Sequence, residues 1–307
     1  MAGIRSNQTI AASLVFAVFL WGGNNTGVKY LVKSWSPVWV GCTRFLAAGA
    51  LLSFLLHQTR WAVAPAALTP TIRRQLWFRT SLSLAVYIMV FNTALSYTSA
   101  SHVALYLGAS PIWALLLEGD FSRDWKTVRR YLSALLALGG VVILFWPTLW
   151  QQNAAWPGEI LGLTGSFLWA FHGRQCRALG TALTGSEITC QTMWRAGLWL
   201  LPLALVDVGR HPPVWRADLV LVQGYCVVAG GAVAFALWNH ALRHWPTSQV
   251  YLFNNLIPLS TMSWAVVCLG EQATPTYFVA MVLIVGAVIL SQTNLPRLLE
   301  TVKWPPE

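Results

Sequence analysis

The chain has 307 residues, of which 56% are hydrophobic and only 10% are charged, and its mean hydropathy is +0.56. Soluble domains carry roughly 25% charged residues, so this composition excludes a soluble protein and indicates an integral membrane protein. The net charge of +10 does not indicate a nucleic-acid-binding protein, because the basic residues lie between apolar runs rather than in one patch.

Ten apolar segments along the chain have the length that a bilayer requires of a helix, about 20 residues. We expect no cleaved leader, because the first apolar run continues into a full span. The ten predicted spans are 9–32, 37–57, 77–98, 100–118, 127–146, 159–178, 187–206, 219–241, 246–269 and 275–293.

The basic residues predict the orientation of these spans. If the N-terminus is cytoplasmic, fourteen Lys and Arg residues fall on the inner side and four on the outer side. Because cytoplasmic loops carry the excess of positive charge, both termini are predicted to be cytoplasmic in a bacterial inner membrane.

The chain contains an internal repeat. When it is shifted by 147 positions, residues 92–142 align with residues 239–289 without a gap, and Asn92/Asn239 and Pro111/Pro258 are among the identical pairs. Each copy holds five spans, and an odd number makes the second copy enter the membrane inverted. The predicted domains are a first repeat at 1–146, a periplasmic connector at 147–157, a second repeat at 158–295 and a cytoplasmic tail at 296–307.

Motifs at matching places in the two copies resemble a known family. Phe19-Leu20-Trp21-Gly22 in span 1 returns as Phe167-Leu168-Trp169-Ala170 in span 6, and Ser101 to Pro111 returns as Ser248 to Pro258. This doubled arrangement resembles the EamA-type branch of the drug/metabolite transporter superfamily, and within it the bacterial aromatic amino-acid exporters.

The resemblance implies an all-α fold of ten transmembrane helices. Spans 1–4 and 6–9 would surround a central cavity, and spans 5 and 10 would pack at the periphery. It also implies an exporter of aromatic and other neutral amino acids. An intramembrane enzyme is not expected, because the spans hold no nucleophile with a base and no paired carboxylates.

Three kinds of side chain are candidates for lining the cavity. One face of span 4 carries aromatic rings at helical spacing, polar groups lie in mid-span, and three tryptophans lie deeper than the interfacial set. Core packing or interhelical hydrogen bonding is the alternative for each. The candidates are Asn24, His102, Tyr106, Trp113, Trp169, His172, Trp194, Trp238 and Asn254.

The repeat also predicts gates and hinges. Polar residues at the outer junction of spans 3 and 4 have mates at the inner junction of spans 8 and 9, and a proline follows in span 4 and in span 9. Such prolines permit bending, so we expect alternating access, although static kinks are the alternative. The candidates are Asn92, Tyr97, Pro111, Asn239, Gln249 and Pro258.

Charged residues within the spans bear on cargo and coupling. Arg44 and Arg195 are candidates to attract a carboxylate, but their closeness to the predicted span ends favours snorkelling to an interface. All ten acidic residues lie at span ends or in loops, which favours transport without tight proton coupling.

The alternative function is transport of another small metabolite or drug, such as a nucleotide sugar or a cationic compound, and this alternative allows proton coupling. The expected partners are an amino-acid substrate and the lipid bilayer, without nucleic acid, and a monomer is compatible with the sequence. No cofactor and no metal ligand set is expected, since the five cysteines form no CxxC pair.

Overall fold

The computed structural model describes residues 2–59, 68–97, 100–119, 124–149, 156–269 and 275–292, and these residues form ten helices without a strand. The ten predicted spans are therefore confirmed. In chain order the helices are α1 (Ala2–Leu31), α2 (Pro37–Thr59), α3 (Pro70–Tyr97), α4 (Ala100–Leu107 and Ser110–Glu118), α5 (Trp125–Leu149), α6 (Trp156–Leu179), α7 (Gly185–Arg210), α8 (Ala217–His244), α9 (247–269) and α10 (Pro275–Gln292).

The helices pack with the symmetry of the repeat. α2 packs along α7, α4 crosses α9, and α5 lies along α10. α1 packs against α8 and α9, just as α6 packs against α3 and α4. Exchanging each helix for its equivalent in the other copy reproduces this set of neighbours. The fold is thus two five-helix repeats related by a pseudo-two-fold axis, as the sequence predicts.

The outside of the bundle is apolar, as a lipid-facing surface must be. Four of the described helices, α2, α3, α5 and α8, contain stretches that are long and apolar enough to cross a membrane by length and composition. Large apolar side chains on the outside include Leu221, Val282 and Phe16. In hydrocarbon such exposure carries no hydrophobic cost, since lipid tails are as apolar as the side chains.

α5 and α10 form a separate layer beside the main core. Their contact has its own buried cluster, which includes Val141, Ala280 and Ile284. Gly140 permits the close approach, because a Cβ there would lie 2.7 Å from Ile284 Cγ1. This peripheral pair leaves α1–α4 and α6–α9 around the centre, which is the arrangement that the resemblance implies.

The two copies break their fourth helix at the same place. α4 is interrupted by a turn at residues 108 and 109, and α9 tightens into a 3-10 segment at Phe253–Leu256. Shifted by 147 positions, the α4 turn falls on residues 255 and 256. Both breaks come just before the prolines Pro111 and Pro258. A proline has no backbone N–H, and its ring clashes with the carbonyl group four residues earlier, so the preceding helical turn is disrupted.

Two of the predicted domain limits fall mostly beyond the described residues. The predicted connector is 147–157, of which 150–155 are outside the description, while α5 runs to Leu149 and α6 begins at Trp156. The predicted tail, 296–307, also lies outside it. The domain boundaries stay predictions.

Candidate functional site

Aromatic rings from both repeats meet at the centre of the bundle. Trp21 of α1 and its repeat mate Trp169 of α6 lie with ring centroids 5.6 Å apart. Trp169 also stacks on Tyr87 of α3 at 5.0 Å, and Trp21 lies 4.9 Å from Trp238 of α8. The Trp21 indole donates to the carbonyl oxygen of Gly230 at 2.9 Å, which fixes the ring against α8.

A small cavity adjoins this aromatic cluster. Its volume is about 40 Å³, and its wall comes from α1–α4, α6, α8 and α9. By this measure one water molecule needs about 10–15 Å³, so the space holds about three waters and is too small for an amino acid such as phenylalanine. The described conformation is therefore closed around its centre. The lining residues are Trp21, Asn24, Asn25, Arg44, Tyr87, Ile88, Phe91, Leu107, Trp169, Phe235, Asn254 and Ile257.

Arg44 supplies a positive charge to this wall without a carboxylate to balance it. The side chain is 2% exposed, and its Nη1 donates to Asn24 Oδ1 at 3.2 Å. Its Nε is buried without a partner in the part of the chain that the structure describes. Among the described residues no ion pair involves Arg44. The guanidinium also lies 5.0 Å from the Phe45 ring centroid. A buried charge without an ionic partner is costly, so Arg44 is the residue of this wall that suits an anion.

The backbone of α8 makes room for the Arg44–Asn24 pair. A wide turn at Cys226–Val233 brings Gly230 and Gly231 against α1 and α2. A Cβ at Gly230 would overlap the Asn24 amide, and one at Gly231 would lie 3.0 Å from Ala48 Cβ. Only a residue without a side chain allows Asn24 to lie between α8 and the arginine.

Arg195 differs from Arg44 although it occupies the corresponding helix. Its Nη1 donates to the Gln191 carbonyl oxygen at 2.8 Å and also to the Gln191 side chain, one turn earlier on α7. Its guanidinium lies 4.0 Å from the Trp194 ring and 5.3 Å from the Trp77 ring. Arg195 thus has its own partners outside the central cavity. Both side chains are buried, Arg44 at 2% and Arg195 at 4% exposed, so the expectation of snorkelling is wrong for both. The Nε of Arg195 also lacks a partner among the described residues, but Arg195 does not line the central cavity.

The structure places three of the predicted cavity residues, Asn24, Trp169 and Asn254, in the cavity wall, and Trp238 in the aromatic cluster beside it. His172 is buried next to Trp169, with Nδ1 3.1 Å from the Thr80 carbonyl oxygen. It does not reach the cavity in this conformation.

The other predicted cavity residues lie further out. Tyr106 donates to Glu159 on α6, Trp113 packs edge-on against Phe167 at 5.8 Å, and Trp194 stacks on Arg195. The side chain of His102 lies outside the description. The assignment of all these residues to a substrate site stays a prediction.

Sequence reasoning missed several residues of the cavity wall. The position of Arg44, only two turns after Pro37, favours an interface, and Trp21 is not among the candidates although its mate Trp169 is. Requiring each candidate to be matched by its repeat mate would have found Trp21. Tyr87 and Phe235 lie in helices that carry aromatic rings on the outside as well, and no sequence signal distinguishes them.

Two gate candidates have equivalent roles inside their own repeats. Asn92 of α3 donates to the Pro37 carbonyl oxygen of α2 at 2.8 Å, and Asn239 of α8 donates to Thr189 Oγ1 of α7 at 2.9 Å. These bonds hold matching helix pairs together. Tyr97 is exposed at the end of α3, and Gln249 lines a second pocket near the start of α9.

The two hinge candidates, Pro111 and Pro258, flank a crossing of α4 and α9. Asn254 Nδ2 donates to the Leu107 carbonyl oxygen at 3.3 Å and to Ser110 Oγ at 3.2 Å. The carbonyl freed by the break in α4 is thus bonded by the opposite repeat. A movement of α4 at this break is therefore coupled to α9, while the hinge role itself stays a prediction.

Polar ties also close the bundle on either side of the centre. At one end the Glu118 carboxylate of α4 pairs with Arg130 of α5 and accepts the Ser248 backbone N–H of α9 at 2.8 Å. Towards the other end, Tyr106 of α4 bonds Glu159 of α6.

The family comparison agrees with this architecture. The model of the EamA-like transporter family matches residues 9–146 and again residues 156–293. The chain belongs to the EamA-like transporter family. It is a membrane-embedded transporter and not an enzyme, and the two matches coincide with the two structural repeats.

Relatives of this EamA-like transporter have low identity but similar length. An uncharacterized transporter of Archaeoglobus fulgidus is 22% identical, over 87% of this chain and 91% of its own. A probable amino-acid metabolite efflux pump of Escherichia coli is 21% identical, over 90% and 92%. A probable terminal-alkyne amino-acid exporter of Streptantibioticus cattleyicolor is 22% identical, over 70% and 71%.

The fold also recurs in a solved structure. A protein chain determined by crystallography superposes with a TM-score of 0.74 at 14% sequence identity, over 93% of this chain and 97% of its own. At this identity the likeness shows the shared fold alone.

Proposed function

We propose that this transporter exports neutral amino acids, aromatic ones included, across the bacterial inner membrane by alternating access, with both termini in the cytoplasm. Arg44 is the observation on which the proposal depends. The guanidinium is buried beside the central cavity, with Asn24 as its hydrogen-bond partner and no carboxylate partner among the described residues. Such a group suits the carboxylate of an amino acid.

The surroundings of Arg44 match the rest of an amino acid. Trp21, Trp169 and Phe235 supply flat apolar surfaces for a side chain, and Asn254 supplies an amide. The indole faces can also accept an ammonium group through cation–π attraction. A cationic drug is a poorer match, since among the described residues the cavity wall carries a positive charge and no negative one.

Transport requires that the centre widens, because about 40 Å³ admits no amino acid. The breaks in α4 and α9 are the places where widening needs the least rearrangement, since regular helical hydrogen bonds are already absent there. Opening at one end and closing at the other is the exchange that an inverted repeat permits. The names of the two amino-acid-exporting relatives support the same cargo class.

The test is uptake by proteoliposomes that contain the purified protein. Labelled tryptophan, phenylalanine, threonine and a nucleotide sugar are compared, and we expect saturable uptake of the amino acids alone. Arg44→Gln should raise the KM for phenylalanine about 10- to 100-fold, because a hydrogen bond to a charged group contributes about 1.5–3 kcal/mol. Arg195→Gln is the matched control and should leave the KM nearly unchanged, since Arg195 is bonded within α7.

Competition by phenethylamine, which lacks the carboxylate, separates this role from a general effect on folding. It should inhibit the wild type and Arg44→Gln with the same potency. Equal loss of affinity for phenylalanine and phenethylamine would show that Arg44 does not meet the carboxylate. Uptake of the nucleotide sugar in place of the amino acids would overturn the proposed cargo.

A further inference from the structure

A second cavity lies at the end of the bundle where α5 begins and α8 ends. Its volume is about 340 Å³, which is several times that of the central cavity. Its lining includes several positive side chains, an indole and an aliphatic side chain. We name it the basic pocket and define it by Lys126, Arg129, Arg130, His244, Trp245 and Leu252.

Arg129 is the unusual residue of the basic pocket. Lys126, three residues earlier, is exposed, but Arg129 is only 7% exposed and lines the cavity. Its Nε is buried, and no hydrogen-bond partner for it exists among the described residues. Cations that merely face lipid headgroups keep their charged end in the interface. A buried guanidinium that lines a cavity suits an anion within that cavity.

The carboxylate that contacts the pocket residues Arg130 and Ser248 is already engaged. Glu118 pairs with Arg130 and accepts hydrogen bonds from Ser248 through its backbone N–H and through its Oγ, at 2.8 Å and 3.0 Å. Both of its oxygens are therefore used in joining α4, α5 and α9. The described lining residues therefore give the pocket a positive charge, with Arg129 as its buried cation.

The repeat supplies a comparison within the same chain. The residues equivalent to Arg129 and Arg130 are Thr276 and Tyr277, and the Tyr277 hydroxyl lies 2.9 Å from Ser263 Oγ. The copy at the opposite end thus has neutral groups at these positions. The duplicated scaffold does not require cations here, so the basic pocket serves one face of the membrane.

We propose that the basic pocket is an entry vestibule, which binds the carboxylate of the amino acid through Arg129 before the central cavity opens. The identity of the occupant as cargo rests on the proposed function. The pocket is large enough for an amino acid, and Trp245 and Leu252 offer apolar surface to its side chain. By the positive-inside rule this end is cytoplasmic, which is the side from which an exporter loads.

The test uses a reporter cysteine introduced by His244→Cys, since His244 is exposed and lines the pocket. The purified variant is labelled with an anionic and with a cationic methanethiosulfonate, and wild-type protein gives the background of the native cysteines. The measured quantity is the labelling rate of the anionic reagent divided by that of the cationic reagent. Arg129→Gln should lower this ratio at least about threefold, because local positive charge concentrates anions. Arg74→Gln is the control, since Arg74 is exposed and outside the pocket.

Protection experiments identify the ligand. Phenylalanine should slow labelling of the reporter cysteine, and phenethylamine should not. This protection should disappear with Arg129→Gln and persist with Arg44→Gln. Loss of protection with Arg44→Gln and its retention with Arg129→Gln would place the ligand in the central cavity and overturn the proposal.

Three further outcomes distinguish the source of the anion and separate this proposal from the proposed function. Protection by phosphatidylglycerol vesicles, but not by phenylalanine, would make the basic pocket a lipid-headgroup site and overturn the vestibule. Protection by phenylalanine in a protein that does not transport it would overturn the assignment of the occupant as cargo. Phenylalanine uptake without any protection of the reporter cysteine would overturn the vestibule and leave the proposed function standing.

Discussion

Replacing Gly49 with alanine should destabilise the contact between α2 and α7, the two helices that meet on the pseudo-two-fold axis. A Cβ at Gly49 would lie 2.7 Å from the backbone nitrogen of Trp194 and 2.8 Å from its Cβ. The opposing atoms belong to or adjoin the backbone and cannot rotate away. The equivalent approach at Gly197 is to Leu46, with 2.6 Å to the side-chain Cγ.

The size of the effect follows from these distances. Ordinary contact begins at 3.4 Å, and a Cβ at Gly49 would lie only 2.7 Å from the Trp194 backbone nitrogen. The two helices must therefore move apart to accept the alanine. Overpacking of this kind costs about 1–3 kcal/mol. Within a helix, alanine is about 0.5–1 kcal/mol more stable than glycine. The control must therefore also replace a helical glycine with alanine. Gly139→Ala provides it, because a Cβ there meets nothing within 4 Å.

The assay is thermal denaturation of the detergent-solubilised protein, followed by the fraction that elutes as a monodisperse peak in size-exclusion chromatography. The expected order of stability is Gly139→Ala, then Gly197→Ala, then Gly49→Ala, since the Leu46 side chain can yield in part. Phenylalanine uptake should fall in the same order. If Gly49→Ala and Gly139→Ala denature at the same temperature, the close packing of α2 and α7 is refuted.

Three further predictions concern the hinge, the topology and coupling. Asn254→Ala removes two hydrogen bonds to α4 and should lower the uptake rate. Asn255→Ala is the control, because the Asn255 amide has no partner among the described residues, and it should lower the rate less. Equal rates for the two variants would exclude the crossing as a hinge. Cysteines at the repeat mates Tyr97 and His244, both exposed, should react with impermeant reagent from opposite sides of the membrane, and labelling from one side would contradict the inversion. Amino-acid uptake should survive collapse of the proton gradient by an ionophore, whereas its abolition would establish coupling.

The sequence predicted the architecture because its signals are local. A run of about 20 apolar residues is a span whatever it packs against, and the shift of 147 positions relates the two copies without any contact information. The same shift carries Pro111 onto Pro258. Since proline disrupts the helix that precedes it in any setting, breaks in α4 and α9 are expected near these positions.

The site was predicted only in part, because a membrane helix is apolar on both its lipid face and its core face. On α1, Phe16 is exposed to lipid and Trp21 is buried at the centre, and no periodicity separates them. Asn24 and Asn254 could be chosen because unpaired amides avoid hydrocarbon. Tyr87 and Phe235 could not, since other aromatic rings on the same helices, such as Phe78 and Tyr225, are exposed on the outside.

The sequence by itself determined ten spans, two inverted copies and the class of protein. Tertiary structure decided which of two similar arginines faces the centre. Gly230 and Gly231 allow α8 to pack over Arg44 at the central cavity. Arg195 instead bonds Gln191 and lies against the rings of Trp77 and Trp194. Tertiary structure also decided that Arg129 is buried and its neighbour Lys126 is not. The physical reason is that hydropathy belongs to a segment, while the environment of a charge depends on helices that are distant along the chain.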